Sequence, residues 1–144
     1  MNIATLLSLV LLVLEPRADE DATLVADFRR FYGDKDNTPT MRREAVLTLA
    51  GTDSLGAVQA LSLALGDDEF IVRAAAVDAI ASTHNAAGVQ WLIENVLLDK
   101  KASKDARLVA GVAEALGGMG QPAAFGPLLD LLAHKELEVR LGAI

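Results

Sequence analysis

Apolar residues return along this chain at a spacing of four. Val72, Ala76 and Ile80 form the clearest stripe, inside the run VRAAAVDAIAS, and the triplet recurs as Met41, Ala45 and Leu49 and as Leu108, Val112 and Leu116. Val139 and Ala143 begin a fourth copy. Side chains four apart share one face of an α-helix, so each triplet predicts a helix with a single apolar side. The copies start at 41, 72, 108 and 139, which sets intervals of 31, 36 and 31 residues. The long interval holds the polar run DKKASK at 99–104, where the second copy has only GDDEF at 66–70. An insertion of this kind falls in a turn and leaves the stack undisturbed.

Each copy is preceded by a second apolar stripe. Leu24, Phe28 and Phe31 mark the first, Val58, Leu61 and Leu65 the second, Val89, Leu92, Ile93, Val96 and Leu97 the third, and Phe125, Leu128, Leu129 and Leu132 the fourth. The predicted unit is therefore a helix hairpin, with units over about 23–50, 54–83, 86–119 and 122–144. Local punctuation agrees: Asp53-Ser54 and Asn85 suit helix starts, Gly117-Gly118 a helix end, and Pro122 a first helical turn. A hairpin that keeps returning can bury its stripe only against its neighbours, which predicts an array of stacked repeats. Composition points the same way. Residues are 52% hydrophobic and only 4% aromatic, which suits closely packed helices better than a sheet, and the expected class is all-α.

The two ends break the pattern. Residues 1–22 form a separate N-terminal segment in which Ile3 to Leu14 is apolar on every side, ends at Glu15-Pro16 and precedes the acidic run Asp19, Glu20, Asp21. Crossing a bilayer takes about twenty residues, so this stretch is too short for a transmembrane helix. Three readings stay open: the core of an export signal, a first helix buried against the array and stopped by Pro16, or a membrane-surface anchor. The export reading lacks a preceding Lys or Arg and has only Ala18 and Ala22 as cleavage candidates, so the compartment stays open between exported and cytoplasmic. At the other end the fourth copy reaches Ile144 without a cap or a polar closing helix. An open stack leaves apolar surface in water, so these 144 residues are expected to be the front of a longer array.

Charge and motifs narrow the chemistry. With 13 basic against 20 acidic residues the net charge is −7, which repels phosphate backbones and disfavours nucleic acid as a partner. No cysteine is present, so disulfides, zinc thiolates and thiol nucleophiles are ruled out. His84 and His134 stand alone at predicted turns and do not make a metal site. Asp67, Asp68 and Glu69 sit in one turn and lack the alternating spacing of a calcium loop, so they read as helix-start charges. Lys100, Lys101 and Lys104 form the one basic cluster and read as a solvated loop. Ser54, Ser82 and Ser103 have no Gly-x-Ser-x-Gly context, and Gly117-Gly118-Met119-Gly120 lacks the lysine of a phosphate loop.

The Val-Arg pairs Val72-Arg73 and Val139-Arg140, the alanine-rich Ala74-Ala75-Ala76 and the ending Ala115-Leu116-Gly117 resemble HEAT repeats of the short bacterial type, also described as the HEAT-like repeats of phycobilisome lyases. The resemblance covers about residues 23–144. It implies a right-handed superhelix, an α-solenoid whose second helices line the concave face. It also implies a ladder of Asp-to-Arg pairs between units, with Arg42, Arg73 and Arg140 at the arginine position and Asp67 or Asp68 as acidic partner, Asp68 being the one assigned to the ladder. Val109 takes that position in the third unit and Arg107 comes two residues early, so the ladder is expected to break there. Certain HEAT-like iron enzymes carry repeated His-Glu pairs; here His84 precedes Asn85 and His134 precedes Lys135, and the pairs are missing.

The expected function is a non-enzymatic scaffold binding a protein or peptide on the concave face. Arg73, Asp78 and Glu114, placed on the exposed side of the second helices, are the candidate contacts, with no catalytic residue, metal or cofactor assigned. The alternative from another class is an accessory or catalytic subunit of a chromophore lyase of the phycobilin type, which needs a groove more than a fixed catalytic constellation. The oligomeric state is left open by the sequence.

Overall fold

The computed structural model describes residues 20–34 and 36–144; the segment Ile3 to Leu14 and the three readings attached to it lie outside the described residues. Helix α1 covers 20–32. It is followed by α2 (Pro39–Thr48), α3 (Leu55–Ala64), α4 (Phe70–Ser82), α5 (Ala87–Leu92), α6 (Ala106–Met119), α7 (Phe125–Leu131) and α8 (Leu137–Gly142). No strand occurs among the described residues.

The helix starts follow from side chains that satisfy orphan amides. Thr38, Ser54 and Asp105 accept from the backbone amides of Met41, Ala57 and Leu108, and Pro39 sits in the first turn of α2, where a missing amide costs nothing. The Asn85 carboxamide oxygen accepts from the Ala87 amide at 3.0 Å, at the head of α5. The stop of α6 differs from the expectation. The helix runs through Gly117 and Gly118 to Met119, and Gly120 ends it at φ 61°, because the left-handed cap is formed by the third glycine. The third unit also departs from the others: α5 passes into a π-helical turn, Ile93–Leu97, and then into a 3₁₀ turn, Ala102–Lys104. The DKKASK insertion is held there by Asp99, whose carboxylate accepts from the amides of Lys101 and Ala102.

The even-numbered helices form an inner layer in which α2 packs on α4, α4 on α6 and α6 on α8. Outside them α3 packs on α4, α5 on both α4 and α6, and α7 on α6. This is a helical solenoid with a continuous core. Ala45, Leu49, Val72, Ala76, Ile80, Leu108, Val112, Leu116 and Val139 from the inner stripes are all buried, joined by Leu61, Leu92 and Val96 from the outer helices. Met41 alone among the stripe starts is open, because no inner helix precedes α2 among the described residues.

Small residues let the inner helices approach closely. At Gly142 in α8 a β-carbon would lie 2.6 Å from the Ala110 carbonyl oxygen of α6, whereas at Gly111, in the middle of α6, it would meet nothing within 4 Å. The two glycines should therefore respond oppositely. Gly142→Ala is expected to lower stability by about 1–3 kcal/mol through backbone displacement, and Gly111→Ala to raise it by about 0.5–1 kcal/mol through helix propensity. Urea unfolding of the two variants beside the parent protein checks both signs.

Candidate functional site

The inner helices carry two polar features, a ladder along one edge and an open face. The ladder begins with arginines one residue after three of the four stripe starts. Each reaches back to the turn that precedes its own helix: Arg42 donates to the Asn37 carbonyl, Arg73 to those of Asp67 and Asp68, and Arg140 to those of His134 and Lys135, all at 2.7–2.8 Å. Two of the three also reach forward to the next unit. Arg42 makes a two-pronged pair with Asp67 at 2.8 and 3.0 Å, and Arg73 meets the Asp105 carboxylate at 3.0 Å. The planar guanidinium suits this double duty, since its fork presents donors in two directions.

The expectation that Asp68 supplies the ladder's carboxylate is corrected by the geometry: Asp67 supplies it, while Asp68 contributes its backbone carbonyl to Arg73. The reason is position. Asp67 points back toward α2 with its side chain only 5% exposed, and it collects donors from Arg42, from the Tyr32 hydroxyl at 2.7 Å and from the Glu69 amide at 2.9 Å. Burial by itself would raise the Asp67 carboxyl, but the hydrogen bonds from Arg42, the Glu69 amide and Tyr32 outweigh it and hold the group below the usual carboxylate range. Burial, then the bond to Asp67, pushes the Tyr32 phenol far above its ordinary value. Tyr32, which reads in the sequence as one scattered aromatic, is thus a link in this node, and its ring stacks on Phe28 at 5.2 Å. Asp105, the acidic partner of Arg73, was not foreseen: it precedes Leu108 by three residues, whereas Asp67 precedes Val72 by five, because the inserted loop changes the path into α6.

The ladder stops in the third unit, where Val109 is buried in place of an arginine. Arg107 turns elsewhere, its guanidinium 4.2 Å from the centre of the Phe70 ring and its Nε 3.8 Å from Asp105. Phe70, Ala74 and Asp78 of α4 and Arg107, Leu108 and Gly111 of α6 line a shallow cleft on the open side of the inner layer.

The three residues expected as partner contacts separate here. Arg73 is engaged by Asp105 and two carbonyls and belongs to the ladder rather than to the open surface, since its place on the helix aims it at the flanking turns. Asp78 and Glu114 are exposed on adjacent helices at the same register, six residues after their stripe starts, with Leu47 exposed at the corresponding place on α2. Burial, then the neighbouring Glu114, raises the Asp78 carboxyl. A larger groove of about 520 Å³ lies at the edge of the stack, where Gly66, Asp67 and Asp68 face Glu94, Asp99 and Lys101 across the inserted loop.

Two carboxylates in one fold therefore act on stability in opposite senses. Asp67 has a lowered folded value, so its contribution is present above the unfolded value of about 4 and is lost as pH falls through the folded one. Asp67→Asn should lower stability at pH 7 by about 2 kcal/mol through the unpaired Arg42, and the gap to the parent should shrink below about pH 4. Asp78 has a raised folded value, so the protein is most at ease with it below about pH 4 and loses that advantage as pH rises through the folded value. Asp78→Asn should accordingly raise the thermal midpoint at pH 7 and leave it unchanged in acid. Paired melting curves across pH 3–8 would show both trends.

The HEAT-repeat sequence profile matches residues 61–144, more than half of the chain. No curated protein matches it. HEAT repeats are helical scaffolds for protein interaction, ordinarily non-catalytic, and the chain belongs to this family.

Proposed function

We propose that this protein is a non-enzymatic binding scaffold whose docking strip is the open face of α2, α4 and α6, and that the strip receives a protein or peptide segment presenting a lysine or arginine. The observation that carries the reading is the Asp78–Glu114 neighbourhood. Two acidic side chains stand at one register of adjacent helices, Glu114 adds to burial in raising the Asp78 carboxyl, and neither side chain is ion-paired among the described residues. A cation set between them relieves that repulsion, and the stacked helices hold the two groups in place before binding. Leu47 adds an apolar contact one unit upstream, and Phe70 with Arg107 frames the cleft beside it. A partner that reads the strip would place an apolar residue near α2 and basic residues over α4 and α6. The net charge of −7 favours its approach at low salt.

An NMR titration with a short Leu-and-Lys peptide tests this. Shifts should concentrate on the amides around Leu47, Asp78 and Glu114, an isosteric acidic peptide should leave them still, and Asp78→Asn with Glu114→Gln should weaken binding by about tenfold. Shifts confined to the outer helices α3 and α5 would sink the reading.

A further inference from the structure

The cleft between α4 and α6 carries charges of opposite sign at its two ends. At one end stands Arg107, its side chain 64% exposed and its guanidinium steadied 4.2 Å from the centre of the Phe70 ring. The carboxylate within its reach, Asp105 at 3.8 Å, is already taken by Arg73 at 3.0 Å. The helix itself does not call for a cation here, since Arg107 lies in the first turn of α6, where acidic side chains are the favoured ones. At the other end Asp78 and Glu114 are exposed and without an ion-pair partner among the described residues.

The spacing of the two ends is set by the helices. From Arg107 to Glu114 is seven residues of α6, and from Phe70 to Asp78 eight of α4, which at 1.5 Å per residue is about 10–12 Å. Ala74 and Gly111 form the floor between, and a β-carbon at Gly111 would meet nothing within 4 Å. The space there is about 40 Å³, enough for one small side chain.

We propose that the segment received by the open face is a helix lying along this cleft, with an acidic side chain at Arg107, a small residue over Gly111 and a lysine or arginine between Asp78 and Glu114. The basic end rests on the cation seat proposed above, and the acidic end adds a second, opposite charge to it. Residues at i, i+4 and i+7 of a helix share one face, and two full turns cover about 10 Å, which fits the distance between the two ends. Arg107 then governs specificity. It attracts the carboxylate of a bipolar helix and repels a uniformly basic one, and the Phe70 ring holds its guanidinium in place before the partner arrives.

NMR titration of the full chain with three helix-stabilised peptides tests this. They differ at one position, Glu, Gln or Lys seven residues before a fixed Lys, with Ala four residues into that interval. The Glu peptide should bind about threefold to fivefold more tightly than the Gln peptide, and the Lys peptide more weakly than both. The net charge of −7 by itself favours the Lys peptide, so a preference for Glu reports Arg107. Arg107→Glu should invert the order. Gly111→Met should weaken the Glu peptide by about tenfold by filling the space its alanine takes, with circular dichroism establishing that both variants are folded. Equal affinity of the three peptides, with shifts still at Asp78 and Glu114, overturns the role of Arg107 and leaves the cation seat standing. An order that survives Arg107→Glu overturns it as well. If no peptide shifts those amides, the cation seat and the bipolar helix fall together.

Discussion

The inner helices of this protein cannot bury their stripes within their own hairpins, and that constraint organises the molecule. Val72 and Ile80 of α4 are closed off because α2 and α6 flank it, and Leu108 and Leu116 of α6 because α4 and α8 do. Stability is therefore a matter of neighbours, as expected for a quasi-one-dimensional stack. Alanine and glycine bring those neighbours close, and Gly142 shows the limit, with no space for one additional carbon against Ala110. The same logic makes the ends special, since any unit without a neighbour presents the positions that its siblings hide.

Polar groups solve a different problem. Every turn before an inner helix leaves carbonyls that the helix cannot satisfy, and the arginines at 42, 73 and 140 supply donors to them from within the same unit. Where a following unit offers an aspartate, the remaining guanidinium donors tie the two units in register. Asp67 shows how much can converge on one carboxylate: an arginine fork, a phenol and a backbone amide together hold its charge in a nearly dry place. Breaking that node strands Arg42, which is why loss of the aspartate matters more than an exposed ion pair would. The third unit replaces the arginine with buried Val109, and there α6 meets α8 without a ladder pair among the described residues, in close contact at Gly142.

The open side of the inner layer has a contrasting character. Its acidic pair has no ion-pair partner among the described residues, and Arg107 lies against Phe70. A rigid row of helices with an unbalanced charge over its middle is suited to recognising an extended or helical segment of opposite sign, since little ordering is required of the scaffold when the partner arrives.

Much of the fold was legible in the sequence because a period of four and its return at 41, 72, 108 and 139 are local properties of the chain. The hairpin unit, the all-helical class, the caps at Ser54 and Asn85 and the breach at Val109 follow from residue types at fixed offsets. Other features depend on what lies opposite. Whether Asp67 or Asp68 meets Arg42, whether α6 ends at Gly117 or Gly120, and whether Tyr32 is a loose aromatic or part of a buried node were decided only when separate turns came together in space. Arg73 makes the same point, for its offset on α4 fits both the ladder and the open surface, and only the Asp105 turn meeting its guanidinium assigns it to the ladder. A sequence pattern specifies which face of a helix must be buried; which groups then converge at the edges of that face is set by the stacking of helices about thirty residues apart.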